Sequence, residues 1–390
     1  MPVIKCDIII CGGGLSGLSL LYRAMKSGTW KKERIIVVDR SDKQENDKTW
    51  SFWKIGDSDF EEVIHHQWKD LVFFTNEGER IPLKNGGYTY NSIRSIDFYH
   101  YVHQNLKAFT NISFVKEEIF EVTSVPGGCE LITDAHTYQS TWLFNSIYKK
   151  PDLKKGEQYF LQHFKGLRIR TKSAIPPLSE AWLMDFRTDQ HNGTTFFYTL
   201  PMADNEVLVE YTLFSKSLLS PDTYNQKIGV YLNNVLKIDS YEILEEEFGV
   251  IPMTDHVFKR FDGNIINIGS AGGDTRGSTG YTFVNIQKTI NQILIVFQSA
   301  GHPFFKEETI GVKAQLYDAT LLRVLAKKKY SGHHLFTDLF SKTPAYLIFA
   351  FLDAETSLYQ DMYLMKSLRA FPFLQSFAVA VYKRFFSSKG

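Results

Sequence analysis

The chain has 390 residues, of which 44% are hydrophobic and 15% aromatic, so it can bury a large core and is expected to form two lobes. Its 44 Lys and Arg residues balance its 43 Asp and Glu residues to a formal net charge of +1, so no overall positive field recruits nucleic acid. The cysteines Cys6, Cys11 and Cys129 lack the spacing of a zinc site or a disulfide framework, which is typical of a reducing, intracellular compartment.

A glycine-rich loop follows the first predicted strand. The segment IKCDIIICGGGLSGLSLLYRAMKSG places Gly12, Gly14 and Gly17 in a GxGxxG pattern, and a predicted helix begins at Leu15. The first glycine permits a tight turn, the second lets the backbone approach a pyrophosphate, and the third allows the helix to pack closely on the strand. With Gly13 and Leu15, these glycines form a predicted cofactor loop at the positive end of a helix.

A second apolar strand, ERIIVVDR, ends at Asp39, about 20 residues beyond the glycine loop. A carboxylate at that position accepts hydrogen bonds from ribose hydroxyls, and the adjacent Arg40 is a further candidate contact. The glycine loop and the Asp39 carboxylate together predict a site for a dinucleotide. The alternative is a strand-turn-helix unit that binds no ligand.

The segments after Asp39 bear on the choice between NAD and FAD. A chain built around NAD alone continues in close βαβ succession, whereas residues 44–56 are polar and irregular. Later segments such as DLVFFTN, ISFVKEEIFEVTSV and CELITD alternate as short strands. This layout predicts a nucleotide fold interrupted by antiparallel sheet, as in flavoprotein hydroxylases and reductases.

A second glycine-rich stretch, DGNIINIGSAGGDTRGSTGYTFVNIQKTINQILIVF, predicts a strand, a loop and a long helix. In such folds the returning loop places an acid, here Asp274, near the flavin ribityl chain, and a helix N-terminus near the isoalloxazine ring. Two such loops predict FAD. The candidate cofactor contacts of this stretch are Gly269, Gly273, Asp274, Thr279 and Gly280.

The predicted fold is mixed α/β (α+β). Residues 1–150 and 255–310 are expected to form a discontinuous, Rossmann-like FAD-binding lobe, and residues 151–254 an antiparallel-sheet substrate lobe. Residues 311–390 are expected to form a helical region.

Glu210 lies in an apolar strand pattern, Val207-Leu208-Val209-Glu210-Tyr211-Thr212-Leu213-Phe214. From periodicity alone, an edge-strand carboxylate that points into solvent is the commoner arrangement. A carboxyl in an apolar wall is the alternative, and burial there would raise its pKa.

Six segments occur in order along the chain: NDKTWSFW (46–53), GGYTYNSIRSIDF (86–98), WLMDFR (182–187), FFYTLP with EVLVEYTLF (196–214), GVIPMT (249–254) and GSAGGDTRGSTGYTF (269–283). Together they resemble the bacterial FAD-dependent lycopene β-cyclases. The family's acidic motif falls on Val209-Glu210-Tyr211-Thr212, so the resemblance implies that Glu210 is the catalytic acid/base. Some members carry Asp-Gly-Arg-Gly where this chain has Asn145-Ser146-Ile147-Tyr148, and no FAD contact is assigned there.

The resemblance implies redox-neutral cyclisation of the linear ψ ends of lycopene to β-rings, which yields γ-carotene and β-carotene. FAD is required in reduced form, with NAD(P)H as its electron source, and acts either through its charge or as a proton donor. A hydrocarbon offers no heteroatom, so recognition must come from apolar burial at roughly 25 cal/mol per Å² in a hydrophobic tunnel. The 31 Phe and 20 Tyr residues could form its walls or a core biased toward large side chains.

Several further residues are candidates with structural alternatives. Asp185, beside Phe186, is either an ion-pair partner of Arg187 or part of the cavity, and a structural role is favoured. Arg94 and Gln162 are weaker candidates for the flavin lobe, and the His65-His66 and His333-His334 pairs lack metal-site spacing. The candidate substrate contacts are Trp50, Phe52, Asp185, Phe186, Tyr211 and Tyr281.

The C-terminal third turns helical from about Val312. No stretch reaches the roughly 18 apolar residues of a spanning helix, and the N-terminus does not resemble a secretion signal. The end, FPFLQSFAVAVYKRFFSSKG, combines apolar residues with Lys383, Arg384 and Lys389, which suits either a membrane interface or packing on the substrate lobe. We expect peripheral attachment to the cytoplasmic membrane face, with lipid and other carotenoid enzymes as candidate partners.

Two other functions fit parts of this pattern. An FAD-dependent monooxygenase or an isoprenoid reductase would use the same lobe, since one fold hosts many chemistries. A carotenoid carrier without catalysis would not require two FAD loops.

Overall fold

A largely parallel six-stranded sheet forms the centre of the nucleotide lobe. The computed structural model describes residues 2–57, 59–172 and 180–386. The IIIC and IIVVD runs are two adjacent inner strands and are buried on both faces, as is usual for parallel sheets. In spatial order the strands are β19 (Phe261–Asp262), β20 (Ile265–Asn267), β13 (Trp142–Asn145), β2 (Ile8–Cys11), β3 (Ile35–Asp39) and β9 (Ile112–Lys116).

Helices cover one face of this sheet and a smaller sheet covers the other. The helices are α1 (Leu15–Lys26), α2 (Ser95–Leu106) and α4 (Phe283–Ala300), and their apolar residues share a core with Ile8, Ile10 and Val37. Ile9, Cys11 and Val38 point the other way, because side chains alternate along a strand, and pack on the second sheet. That sheet is β1 (Val3–Lys5), β12 (Thr137–Ser140), β11 (Gly128–Thr133) and β10 (Ile119–Val125).

A seven-stranded, mainly antiparallel sheet forms the second lobe. Strands β6 (Leu71–Phe74) and β7 (Arg80–Pro82) come from the segment 1–150 that the sequence pattern assigned to the nucleotide lobe. The LVFF run of β6 is fully buried and pairs in parallel with β15 (Ala181–Asp185). In spatial order the strands are β18 (Glu242–Thr254), β14 (Tyr159–Arg170), β17 (Glu206–Ser215), β16 (Thr194–Ala203), β15 (Ala181–Asp185), β6 (Leu71–Phe74) and β7 (Arg80–Pro82).

The two faces of the seven-stranded sheet have different partners. Helix α3 (Pro221–Tyr231), followed by a π-helical turn at Leu232–Leu236, packs on one face against Val207, Val209 and Tyr211 of β17. Leu208 and Phe214 of β17 belong to the core on the opposite face. Because strand side chains alternate, Glu210 lies on this second face, away from α3.

A three-stranded sheet and the C-terminal helices complete the second face. The sheet is β4 (Thr49–Lys54), β8 (Thr89–Arg94) and β5 (His66–Trp68). Within the ranges described above, no helix is both long and apolar enough to cross a membrane. The helices are α5 (Val312–Ala326), α6 (Gly332–Lys342), α7 (Ala345–Leu352), α8 (Leu358–Met365) and α9 (Ala370–Phe386).

A buried ion pair ties α5 to the second glycine-rich loop. Arg276 donates from Nη2 to Oδ1 of Asp318 at 2.7 Å and from Nε to Oδ2 at 2.9 Å. Both side chains are almost fully buried, at 2% and 6% exposure. Ser278 Oγ donates to the same carboxylate at 2.6 Å, and Arg276 Nη1 donates to the carbonyl of Leu352 in α7. This pair therefore fixes the loop against the helical region.

We expect Asp318→Asn to destabilise the protein by about 3 kcal/mol, because removing one partner leaves a buried guanidinium uncompensated. Thermal and urea unfolding followed by circular dichroism measure this loss. Asp262→Asn, which breaks the exposed Lys259–Asp262 pair, is the control and should leave the melting temperature nearly unchanged. Equal melting temperatures for both variants would contradict a structural role for the buried pair.

Candidate active site

The first glycine loop has the geometry of a dinucleotide cradle. Gly12 has φ +95° and directs the chain from β2 into the turn before α1. A Cβ at Gly17 would lie 2.0 Å from the carbonyl oxygen of Gly12, so only glycine permits this close approach. A Cβ at Gly14 would meet nothing within 4 Å, and Gly14 caps α1 without a side-chain hydrogen bond. Open space at an uncapped helix N-terminus fits a pyrophosphate.

Asp39 lies at the carboxyl end of β3, beside this cradle. Its Oδ2 accepts a hydrogen bond from the backbone N–H of Gly13 at 2.7 Å, and Lys43 Nζ lies 3.4 Å from the same oxygen. A cavity of about 480 Å³, open to solvent, is lined by Gly13, Asp39, Lys43 and Lys116. This cavity suits a ribose and its base. Arg40 is exposed and is not among the residues that line it.

The second glycine loop lies against the start of α1. A Cβ at Gly269 would lie 2.6 Å from Ser16 Oγ, so the two loops meet. Asp274 is fully buried: its carboxylate accepts hydrogen bonds from Gly269 N at 2.7 Å, Arg260 Nη2 at 2.6 Å and Thr289 Oγ1 at 2.6 Å. These protein groups hold the carboxylate in place and thereby fix the loop, and the contact of Asp274 with a flavin stays a prediction.

A cavity joins the second glycine loop to the seven-stranded sheet. It encloses about 740 Å³ of space, including its open mouth. Predicted residues Trp50, Glu210, Thr279, Gly280 and Tyr281 come together here, although they lie far apart in the sequence. The other lining residues are Thr49, Ser51, Tyr90, Gln162, Phe164, Tyr198, Leu200, Leu208, Glu247, Ile251, Thr282 and Phe283.

Glu210 is the acid in this cavity. Thr212 Oγ1 donates a hydrogen bond to its Oε1 at 2.5 Å. Burial raises the pKa of Glu210 well above its ordinary value, and the nearby carboxylate of Glu247 raises this pKa further. The neutral acid is therefore the favoured form of Glu210. The solvent-facing alternative for this residue is not what the structure shows.

Sequence reasoning missed Glu247, the second carboxyl of the site. Glu247 on β18 and Glu210 on β17 both pair with Gly166 of β14, which lies between them. Thr49 Oγ1 donates to Glu247 Oε2 at 2.8 Å. The signal in the sequence was the acidic run Glu245-Glu246-Glu247, but strand order decides which acid faces the cavity.

Three tyrosines line the cavity beside Glu210. Tyr90, Tyr198 and Tyr281 all line the cavity, and their hydroxyl groups are close enough to interact electrostatically. Burial raises the pKa of each phenol, so all three remain neutral. The Tyr281 ring also contacts Trp53, with centroids 4.1 Å apart. Neutral aromatic groups in a desolvated wall can stabilise a nearby cation.

Two predicted substrate residues lie on the wrong face of the sheet. Tyr211 follows Glu210 directly and so points toward α3, where its ring contacts Phe197. Asp185 is fully buried and accepts hydrogen bonds from Arg187 Nη2 at 2.6 Å and from Tyr231 Oη of α3. Neither lines the Glu210 cavity, so the structure corrects both assignments. Asp185 forms the ion pair with Arg187 that was favoured from the sequence as its structural role.

Two predicted phenylalanines are core residues outside this cavity. Phe186 packs under α6, and its ring stacks on that of Phe336 with centroids 5.9 Å apart. Phe52 lies two residues from Trp50 on the same face of β4 and stacks on Phe283 at 4.2 Å in the nucleotide-lobe core. Neither phenylalanine lines the Glu210 cavity, so the predicted substrate contacts are not found there.

Arg94 and Gln162 occupy different positions relative to the cofactor loops. Arg94 bonds to Asp97 at 2.7 Å and lines a separate polar cavity, away from both glycine loops. Gln162 is 8% exposed, and its Oε1 has no hydrogen-bond partner within the ranges described. A Cβ at Gly280 would lie 2.6 Å from this oxygen. An unpaired polar atom beside the second loop fits a bound cofactor, because buried polar groups are usually satisfied.

Solved structures with this fold include a monooxygenase and a halogenase in complex with FAD. The p-nitrophenol 4-monooxygenase PnpA from Pseudomonas putida DLL-E4 matches with a TM-score of 0.59 and 12% identity, over 97% of this chain and 99% of that one. A variant of halogenase PltM in complex with FAD matches with a TM-score of 0.54 and 12% identity, over 98% and 92% of the two chains. These likenesses confirm the predicted mixed α/β fold with a Rossmann-like FAD-binding lobe.

Comparisons of sequence identify the family. A curated lycopene beta-cyclase from Pantoea ananas is 24% identical over 262 residues, which cover 64% of this chain and 62% of that relative. The aligned region thus spans less than two thirds of the relative's length. The family model described as lycopene cyclase protein matches residues 7–378, almost the whole chain. The chain therefore belongs to the lycopene cyclase family.

Proposed function

We propose that the protein is a lycopene β-cyclase, which closes β-rings at the linear ψ ends of lycopene to give γ-carotene and β-carotene, with no net redox change. One observation carries the proposal: Glu210, an acid that burial holds in its neutral form, faces a cavity that also reaches the second glycine loop. Family membership supports the same conclusion. The relative from Pantoea ananas is named for this activity.

The cavity walls suit a hydrocarbon. Trp50, Tyr90, Phe164, Tyr198 and Tyr281 line it, so an apolar chain end is recognised by burial at roughly 25 cal/mol per Å². Their rings offer faces to a positive charge, each with about 0.5–2 kcal/mol of cation–π stabilisation. The same walls exclude water, which would otherwise trap the cation as an alcohol.

Glu210 moves the proton. Its O–H bond breaks as a new C–H bond forms at the terminal double bond, which leaves a tertiary cation on the substrate and a carboxylate on Glu210. A neighbouring double bond of the substrate attacks the cation and closes the ring. A proton from the ring then returns to a carboxylate, and the new ring double bond forms. The acid must be neutral before it protonates the double bond, and the raised pKa of Glu210 keeps it neutral.

The loops fit FAD, and we propose that it acts in reduced form with NAD(P)H as the electron source. The Gly12–Gly17 loop and Asp39 would hold the dinucleotide, and Thr279, Gly280 and Gln162 lie where the ring end would be held. When bound and reduced, FAD supplies negative charge beside a cationic centre.

The membrane is the proposed location, on the cytoplasmic side. Helix α9 packs on α5 through its buried residues Ser376 and Ala380. The other face of α8 and α9 is apolar and exposed, and Tyr359 on this face is 81% exposed. The basic residues Lys383 and Arg384 lie near the end of α9. Lys389 lies outside the described residues. Apolar side chains beside basic ones suit a lipid interface. The exposed apolar residues are Leu358, Tyr359, Met362, Tyr363, Met365, Phe371, Leu374, Phe377, Val379, Tyr382, Phe385 and Phe386.

An FAD-dependent monooxygenase or isoprenoid reductase is the second candidate. The same fold in a solved monooxygenase is the observation that favours it. Such enzymes consume a reductant for each product, whereas a cyclase does not.

In cells that accumulate lycopene, we expect the wild type to produce β-carotene and Glu210→Gln to leave lycopene unreacted, with at least a hundredfold loss of rate. The amide keeps the shape but cannot donate the proton as a carboxylic acid does. Pigment analysis by chromatography measures this. Tyr211→Phe is the matched control: it is the next residue, lies on the α3 face, and should retain activity. Near wild-type turnover by Glu210→Gln would place the acid elsewhere.

With prereduced FAD under anaerobic conditions, we expect rings to form without any consumption of NAD(P)H. Each ring closure adds one proton to the substrate and removes one, so no electrons are transferred. Absorbance at the nicotinamide band and product analysis give the ratio. One NAD(P)H oxidised per product molecule would instead identify a reductase or monooxygenase.

Replacing Leu374 and Phe385 together by Glu should weaken binding to anionic vesicles at least tenfold, since each apolar side chain contributes about 1.5–3 kcal/mol on burial. Vesicle flotation measures the bound fraction. Phe120→Glu, at an exposed phenylalanine of β10, is the control and should bind as the wild type does. Unchanged flotation of the double variant would exclude this face as the attachment site.

A further inference from the structure

Gly166 separates the two carboxyls of the cavity. Neighbouring strands lie about 4.8 Å apart, so the Cα atoms of Glu210 and Glu247, two strands apart, are separated by roughly 10 Å. Each side chain must therefore extend over position 166 to meet the other. A Cβ at Gly166 would lie 2.9 Å from Cγ and 3.3 Å from Oε1 of Glu247. Any larger residue there would displace Glu247.

The surroundings of the pair define which carboxyl keeps the proton. Burial raises the pKa of both carboxyls, and the charge of Glu247 raises the pKa of Glu210 further. The Thr49 hydroxyl and the charge of Lys48 favour the ionised form of Glu247, so Glu210 keeps the proton. Thr49 and Thr212 each donate a hydroxyl to one of the two, at 2.8 and 2.5 Å.

Glu247 differs from the other acids of its run. Glu245 faces Arg168 at 3.1 Å and Arg94 at 3.7 Å. Glu246 points to the opposite face of the sheet and pairs with Lys165 at 2.9 Å. Both have cationic partners, whereas Glu247 bonds to the Thr49 hydroxyl and lies across Gly166 from another carboxyl. This arrangement does not serve stability, because it brings two acids together in a desolvated place.

Glu247 also lies between two cavities. One is the aromatic cavity with Glu210. The other, of about 700 Å³, is the polar cavity, which includes Asn46, His65, Arg94 and Arg168 in its lining. Thr49, Leu208 and Glu247 line both cavities. Glu247 therefore lies where the Glu210 cavity meets a cavity with charged side chains in its wall.

We propose that Glu247 is a positioning residue that keeps the reactive proton on Glu210 and connects this acid to the polar cavity, with Gly166 as the gap that lets the two meet. The inference rests on the proposed function. At rest the pair holds one proton and one negative charge. When Glu210 gives its proton to the substrate, the pair carries two negative charges, which repel each other, so the proton released by the ring returns to the pair. After each ring closure, the two carboxyls again hold one proton and one negative charge.

Other charged and titratable groups near the pair do not titrate in the same way. Burial raises the pKa of Tyr90, Tyr198 and Tyr281, and burial lowers the pKa of His65, with Arg94 adding to this effect, so these four are neutral between about pH 7 and 9. The remaining groups, from the strands and loop around the pair, are Lys48, Arg94, Arg168 and Glu245.

The test is the pH dependence of kcat/KM for Glu247→Gln. Removing the charge of Glu247 removes the repulsion that raises the pKa of Glu210, so Glu210 ionises at lower pH. We expect the alkaline limb of the kcat/KM profile to move to lower pH by about one unit or more. At a pH on that limb kcat/KM should fall about tenfold, and at pH 6 it should fall less. Gly166→Ala should shift the limb in the same direction. Glu246→Gln, the adjacent residue on the other face, is the control and should leave the profile unchanged.

A second measurement separates this inference from the proposed function. Infrared spectroscopy of the protein without substrate should show a protonated carboxyl band at pH 7 that is absent in Glu210→Gln and is lost at lower pH in Glu247→Gln. If the wild type forms no rings, the proposed function fails, but this titration still tests the pair. A pH profile and an infrared titration of Glu247→Gln that both match the wild type would overturn the inference, and melting temperatures establish that each variant is folded.

Discussion

The desolvation of one carboxylic acid is the interaction on which the site depends. Glu210 lies in an aromatic wall that penalises its charged form, and Glu247 adds like-charge repulsion. A proton can therefore stay on Glu210 at a pH where an exposed glutamate is ionised. A hydrocarbon has no basic heteroatom, so such an acid is what the proposed reaction requires of the protein.

The fold serves this interaction by placing the acid beside the cofactor loops. The parallel sheet and α1 hold the dinucleotide loop, and the buried Arg276–Asp318 pair fixes the second glycine loop against α5. The seven-stranded sheet presents Glu210 on the face opposite α3, toward that loop. One cavity thus brings together residues from β4, β17 and the second loop.

Local patterns in the sequence predicted the elements that depend on short-range order. The glycine loop, Asp39 and the acid of the family motif all follow from spacing or resemblance, and the fold is confirmed. Glu247 could not be found in this way, because it meets Glu210 only through the pairing of β18 with β14. Strand alternation, which the sequence does contain, already argued against Tyr211 as a neighbour of the Glu210 cavity. The protein partners of Asp274, namely Arg260 and Thr289, lie on other elements and could not be predicted from the loop alone.

The most direct test of the account is the protonation state of Glu210 in the folded protein. Carbon-13 NMR of side-chain carboxyls, with the Glu210 signal identified by its loss in Glu210→Gln, gives the titration curve of this one group. The account predicts a signal that remains protonated at pH 7 and ionises only at higher pH. Ionisation near the ordinary glutamate value of about 4.3 would contradict it, because the site would then hold no acid able to protonate a double bond.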